Sequence, residues 1–142
     1  MLSADDKFAI SELLSRASYG YDERNLELLE SCLHEDAIMS LRIAGGDLVG
    51  PFEGRDSIMQ LYKDLMASQS DVRRHVVSNH FFSPSDTAVS EGTVDVVSNL
   101  TLFATENGKT SLLTTGMYRD VVRRDDEAWQ IVHRHVDLDS AY

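Results

Sequence analysis

The chain has 142 residues, 42% of them hydrophobic and 26% charged, with a formal net charge of −11. That length suits one domain whose core needs no covalent staples. So acidic a surface repels phosphate backbones, Arg73-Arg74 and Arg123-Arg124 are only isolated basic pairs, and a single cysteine, Cys32, excludes an internal disulfide and a cysteine-only metal site.

The segment Met1 to Lys7 is acidic and amphipathic, unlike a signal peptide, and no apolar run reaches membrane-spanning length, so a cytoplasmic protein without membrane contact is expected. From Phe8, the apolar positions Ile10, Leu13, Leu14, Ala17 and Tyr21 recur at helical spacing. Ser3 is placed to cap this helix, with Asp5 and Asp6 at the positive end of its dipole. Gly20 is expected to end or loosen it. Asn25 caps a second, short helix with Leu26, Leu29 and Leu33 on one face. Ala37 to Ile43 fits a short strand, Gly45-Gly46-Asp47 a turn, and Leu48 to Phe52 a second extended piece. Gly54 opens a third helix with Ile58, Leu61, Tyr62, Leu65 and Met66 along one side.

The second half reads as sheet. Runs rich in β-branched residues span Arg73 to Ser83, Thr87 to Thr105, Thr110 to Arg123 and Ala128 to Leu138. They are joined by the turn-like Ser83-Pro84-Ser85-Asp86, Glu106-Asn107-Gly108 and Arg124-Asp125-Asp126-Glu127. Such short connectors imply antiparallel neighbours. The expectation is an α+β single domain, a curved antiparallel sheet closed by three helices.

Several segments carry a resemblance. Tyr21-Asp22 closes the first helix, and Leu33-His34-Glu35-Asp36-Ala37 leads into the first strand. Gly54 to Ile58 starts the third helix. Arg74-His75-Val76-Val77-Ser78-Asn79 begins the first long strand. Gly116-Met117-Tyr118-Arg119-Asp120 and Trp129-Gln130-Ile131-Val132-His133-Arg134 lie in the last two. In this order they resemble the nuclear transport factor 2-like superfamily, in its SnoaL-like and scytalone dehydratase-like branch. The resemblance implies a cone of sheet and helices over residues 1–142. It also implies a dyad of Asp22 and His75, and an inward Arg134. That fold hosts enzymes, binding modules and non-catalytic subunits alike, so activity must be argued from the site.

The implied chemistry is coherent. A neutral imidazole removes a proton near pH 7, and a carboxylate behind it fixes the tautomer and stabilises the imidazolium. Asn25, not Asp22, is placed to cap the second helix, which leaves Asp22 available. Arg134 would stabilise a leaving group or an oxyanion, or else serve a structural ion pair. Tyr21, beside Asp22, is the tyrosine expected to polarise a substrate oxygen. Strand alternation puts His75, Val77, Asn79 and Phe81 on one face and His80 on the other, unless a bulge intervenes. The same rule puts Arg134 with Val132, Val136 and Leu138, and His133 and His135 with Trp129 and Ile131. His34 is expected to be exposed, and Cys32 to be a buried apolar residue on a helix. The expected pocket lining is Met39, Leu41, Phe52, Tyr62, Asn79, Phe103, Tyr118 and Trp129, which suits an apolar or aromatic small molecule.

The scytalone dehydratase pattern has a second histidine on the next strand and a tyrosine on the first short one. Thr87 to Thr105 has no histidine and Ala37 to Ile43 no tyrosine. Another substrate is therefore expected, with dehydration, dehydrohalogenation, deformylating elimination and isomerisation all open. No cofactor or metal is expected. His133, His135 and Asp137 are the one suggestive ligand triplet, and no HExxH or phosphate-binding glycine loop occurs. The alternatives to a lyase are a non-catalytic small subunit of a ring-hydroxylating dioxygenase and a ligand-binding homodimer. Apolar residues on both faces of the Thr93 to Phe103 stretch point to a homodimer or higher homo-oligomer.

Overall fold

The computed structural model describes residues 2–83, 92–126 and 128–142. Pro84 to Asp86 of the first expected connector, the start of the run from Thr87, and Glu127 lie outside the described residues. Among the described residues the order is α1 (Ala4–Asp22), α2 (Leu26–Ser31), β1 (Leu33–Ile43), β2 (Val49–Glu53), α3 (Arg55–Ala67), β3 (Val72–Phe82), β4 (Thr93–Glu106), β5 (Lys109–Asp125) and β6 (Ala128–Leu138).

Local chemistry explains the helices. Ser3 and Asp6 form a reciprocal capping box at the start of α1. The Asn25 side chain accepts from the Leu28 N–H at 3.1 Å and so starts α2. Gly20 does not end α1, which runs on to Asp22. A Cβ on Gly20 would lie 3.0 Å from the Leu29 backbone nitrogen, so glycine there lets α2 fold back closely on α1. The chain turns at Arg24, in the left-handed region at φ 52°.

The sheet is curved and unclosed, in the order β2-β1-β6-β5-β4-β3. Pairs β1/β2, β3/β4, β4/β5 and β5/β6 are antiparallel, as expected. The pair β1/β6 is parallel, a departure from the antiparallel expectation. These strands are far apart in sequence, so no hairpin constrains their direction. Their register sets Met39 beside Arg134 and Ser40 beside His135. It also starts β1 earlier than expected, because Leu33 pairs with Ile131 and the Cys32 carbonyl accepts the Ile131 N–H at 2.9 Å.

The helices cover one face, α1 against β3 and β6, and α3 against β1 and β2. Ile10, Leu13, Leu14 and Ala17 of α1 and Ile58 and Met59 of α3 meet Val94, Val96, Leu100, Val122 and Ile131 in one core. Each fully buried aliphatic side chain of this kind contributes about 1.5–3 kcal/mol. On β4, Val94, Val96, Leu100 and Leu102 are buried against the helices, whereas Val97 and Phe103 are only half-buried on the outer face.

Two bulges change which residues share a face. On β3 the register shifts between Ser78 and Phe81, with Asn79 at φ 53°. His80 therefore turns to α1, where Nε2 lies 2.8 Å from Ser11 Oγ, and Asn79 is exposed. On β6 the shift falls at Val132, because Val121 pairs with His133 and Val122 with Ile131. The expected grouping of Ile131 with His133 and His135 is thus corrected: Ile131 is buried in the core on the side of Arg134 and Val136.

Gly116 is the tightest backbone approach in the sheet, since a Cβ there would lie 2.4 Å from the Asp137 carbonyl oxygen. Backbone on both sides leaves little room for relief. Gly116→Ala is expected to lose about 1–3 kcal/mol by overpacking, read as a lower urea midpoint. An unchanged midpoint would show that β5 and β6 separate freely there.

Candidate active site

Asp22 is the last residue of α1, and His75 stands on β3, which is hydrogen-bonded to β4 alone at that edge of the sheet. The His75 backbone N–H donates to Asp22 Oδ2 at 2.8 Å. His75 Nδ1 lies 2.5 Å from Asp22 Oδ1. An ionised carboxylate only accepts, so Nδ1 carries the proton and Nε2 keeps the lone pair. Asp22 is 8% exposed and sits behind the imidazole, outside the cavity wall. The ring of Tyr21 packs edge-on against His75, with centroids 5.0 Å apart.

The imidazole forms part of the wall of a cavity of about 110 Å³. Tyr21, Met39, Leu41, Tyr62, Tyr118 and Arg134 line it, as expected from sequence. Leu100, Leu102, Val136 and Leu138 complete the apolar wall, and Tyr142 and Leu65 also face it. That is below the ~150 Å³ of an apolar space that holds benzene, which limits the ligand to about one small ring.

Four expected lining residues lie elsewhere. Asn79 is turned out by its bulge and borders an outer-face hollow with Asn99 and Met117. Phe103 is on the outer face of β4, out of phase with Leu100 and Leu102. Phe52 packs against the core from the short β2, opposite Met39. Trp129 precedes the β6 bulge and borders a separate hollow with Asp6 and Arg124.

Arg134 is buried, and its Nε and Nη2 donate to Asp120 Oδ1 and Oδ2 at 2.8 and 2.9 Å. Its guanidinium carbon lies 4.0 Å from the centre of the Tyr118 ring. Although burial opposes the charge, the Asp120 carboxylate more than restores it and holds the Arg134 pKa above its usual value. Arg134 therefore meets both descriptions, ion pair and cavity cation. Burial likewise raises the phenols of Tyr62 and Tyr118, and pushes Tyr21 up to about 12. The Tyr21 O–H donates to Gln69 Oε1 at 2.9 Å, so it is not free to polarise a substrate as expected.

Other histidines have local partners. His34 is not exposed: its side chain is 12% accessible, with Nε2 3.0 Å from Asp125 Oδ2 and Nδ1 accepting the Asp36 N–H. His135 bridges Ser40 Oγ at 2.8 Å and Asp137 Oδ1 at 3.0 Å. Among the described residues no three His, Cys, Asp or Glu side chains converge as metal ligands. Cys32 is buried, which raises its thiol pKa. Sequence reasoning missed Asp120, Gln69 and Tyr142. Asp120 faces Arg134 across β5 and β6, a pairing that the strand register alone reveals. No sequence signal marks Gln69 or Tyr142.

A family model described as a SnoaL-like domain matches residues 3–135. No curated protein sequence matches significantly. Solved structures share the fold at low identity. One, a Nostoc punctiforme protein of unknown function with a cystatin-like fold, is 19% identical, covers 97% of this chain and 94% of its own, and has a TM-score of 0.79. A putative scytalone dehydratase from Novosphingobium aromaticivorans is 21% identical over 94% of this chain and 83% of its own, with a TM-score of 0.72. The β subunit of a putative aromatic-ring-hydroxylating dioxygenase from the same organism is 16% identical over 94% and 89%, with a TM-score of 0.79. No helix among the described residues is long and apolar enough to cross a membrane.

Asp120→Ala would strand the Arg134 charge in the core, with an expected loss of about 3–5 kcal/mol, measured by urea unfolding. A loss below about 1 kcal/mol would mean the guanidinium finds water. Tyr21 gives a second expectation. The unfolded phenol ionises near 10 and the folded one near 12, so the unfolded state releases its proton first. Its contribution is complete below pH ~10 and lost as pH rises towards 12. Tyr21→Phe should remove a late step from the alkaline tyrosinate absorbance titration, and an unaltered profile would contradict its burial.

Proposed function

The chain belongs to the SnoaL-like domain family, and we propose that within it this protein is a cofactor-independent lyase with His75 as general base. The observation that supports this reading is His75, held from behind by Asp22, opening on an apolar cavity. Asp22 accepts from the His75 backbone N–H and from its ring Nδ1–H, which fixes the ring and leaves Nε2 as the base. In the proposed reaction Nε2 takes a proton from a substrate carbon, the C–H pair becomes a new π bond, and the leaving group on the neighbouring carbon departs with its own pair. Water or hydrogen halide would be lost in this way, the departing anion taking up the proton. For formaldehyde, Nε2 would instead take the hydroxyl proton of a hydroxymethyl group, whose O–H pair forms the new carbonyl while the C–C pair passes to the remaining conjugated fragment. Return of the proton at another carbon would make the same site an isomerase. The substrate is a small apolar ring compound, in keeping with the leucines and tyrosines of the wall.

The same proposal places the protein in the cytoplasm as a homodimer joined through the outer sheet face, where Val97 and Phe103 are half-buried and Leu112 is exposed. A non-catalytic subunit would need neither a positioned base nor an open cavity.

The test is a mass-resolved screen of small aromatic alcohols, diols and halides with the purified protein, followed by single-turnover kinetics on variants checked by circular dichroism. His75→Gln is expected to slow the reaction by about 10²–10⁴-fold. Asp22→Asn should cost a comparable factor, and the double variant little more than either, because the two act as a unit. Near-full activity of folded His75→Gln would overturn the mechanism.

A further inference from the structure

Tyr21, packed against the base, and Tyr62, packed against Tyr21, differ in what their hydroxyls are bonded to. The Tyr21 O–H is satisfied by an amide oxygen, that of Gln69. The Tyr62 O–H faces Met39 Sδ at 3.3 Å. A thioether sulfur is a weak acceptor, so a buried phenol donor held only by it gains by turning to an oxygen. Tyr62 is 7% exposed and lines the cavity. Its ring packs edge-on against Tyr21, with centroids 5.5 Å apart, and Tyr21 packs in turn against His75. The base and the under-used donor therefore flank one aromatic ring of the same wall.

The Arg134 guanidinium adds charge on the Tyr62 side, acting on the phenol against the effect of burial. Asp120 holds Nε and Nη2 of that guanidinium, leaving Nη1 outside the pair. Tyr118 offers Arg134 the face of its ring. Tyr62 and Arg134 thus bring polar hydrogen together in one part of the cavity wall.

We propose that Tyr62, backed by Arg134, is the catalytic hydrogen-bond donor to a substrate oxygen, and that the substrate is a small molecule whose carbonyl oxygen is conjugated with the carbon that His75 deprotonates. This rests on His75 being the base. As the proton moves to Nε2, the C–H pair shifts through the conjugated system onto the oxygen, and the resulting oxyanion accepts from Tyr62 Oη–H. The pair then returns to expel the leaving group, or to take the proton back at another carbon. Removing one preorganised donor to such an oxyanion typically costs about 10²–10³-fold in kcat.

The test is binding of 4-nitrophenol, a ring-sized oxyanion mimic, followed by its absorbance on titration with the purified full chain. Tyr62→Phe keeps the ring and gives up a bond to sulfur and a contact with Arg134, whose charge stays matched by Asp120, so it should fold. It is expected to weaken 4-nitrophenol binding by about 10–100-fold, the worth of a hydrogen bond to a charged group. Tyr21→Phe is expected to weaken it much less. Met39→Leu, which removes the competing sulfur, should bind at least as tightly as the wild type. Three results would each overturn the inference: no binding to the wild type at millimolar 4-nitrophenol, a larger loss in Tyr21→Phe than in Tyr62→Phe, or weaker binding in Met39→Leu. The outcome is separable from the base mechanism. Full turnover in His75→Gln sinks the base, whereas unchanged 4-nitrophenol binding in Tyr62→Phe, with turnover still lost in His75→Gln, sinks this inference alone.

Discussion

One carboxylate joins the end of the first helix to the edge of the sheet. The oxygens of Asp22 take two N–H groups of a single residue, the backbone and ring donors of His75. A backbone N–H on an unpaired strand edge is costly to bury without an acceptor. Here the helix supplies that acceptor and the imidazole shares it. The contact is cheap in entropy, because α1 is already docked through Ile10, Leu13, Leu14 and Ala17. Position and tautomer of the imidazole therefore follow from the way the fold finishes its own edge.

Asp120, the second buried carboxylate, is placed differently. It spends both oxygens on Arg134, and the pair sits between strands, with Tyr118 over the cation. Burying two charges is expensive, and such a pair often adds little to stability over an apolar replacement. Its effect here is to keep a permanent positive group in a wall made mostly of aliphatic side chains and tyrosines. The parallel register of β1 and β6 brings Met39 next to that group. Topology, rather than a local motif, thus assembles the polar side of the cavity.

Much of this was legible in the sequence where a local rule operates. Ser3 and Asn25 cap as their side-chain chemistry dictates, and the helical face of α1 is the buried one. Asp22 and His75 came from the family resemblance, and the structure brings them into contact. What failed was phase and direction. A bulge at Asn79 turns His80 to Ser11, and another at Val132 moves Ile131 into the core. Alternation has a period of two, so one inserted residue inverts every assignment beyond it. The placement of Phe103 failed for a related reason: both faces of β4 carry apolar residues, so composition does not say which one faces the helices. Asp120 was invisible as a partner until the β5/β6 register was known.

Charge balance gives the cavity a direction. With a neutral imidazole, Asp22 has hydrogen bonds but no cation, while Asp120 is already matched by Arg134. A proton arriving on His75 turns the first pair into a second matched one. The negative charge left on the substrate then belongs near Arg134, the cation that the described residues place in its wall. Low-polarity surroundings strengthen both attractions and exclude the water that would screen them. Separating the carboxylate that supports the base from the carboxylate that anchors the arginine is what allows both. If Asp120 also faced the substrate, its charge would cancel the pull of Arg134 on a developing anion. Held in the plane of the guanidinium by two bonds, it leaves the ring side to Tyr118 and the region of Tyr62 and Met39 as the place where new negative charge is best tolerated.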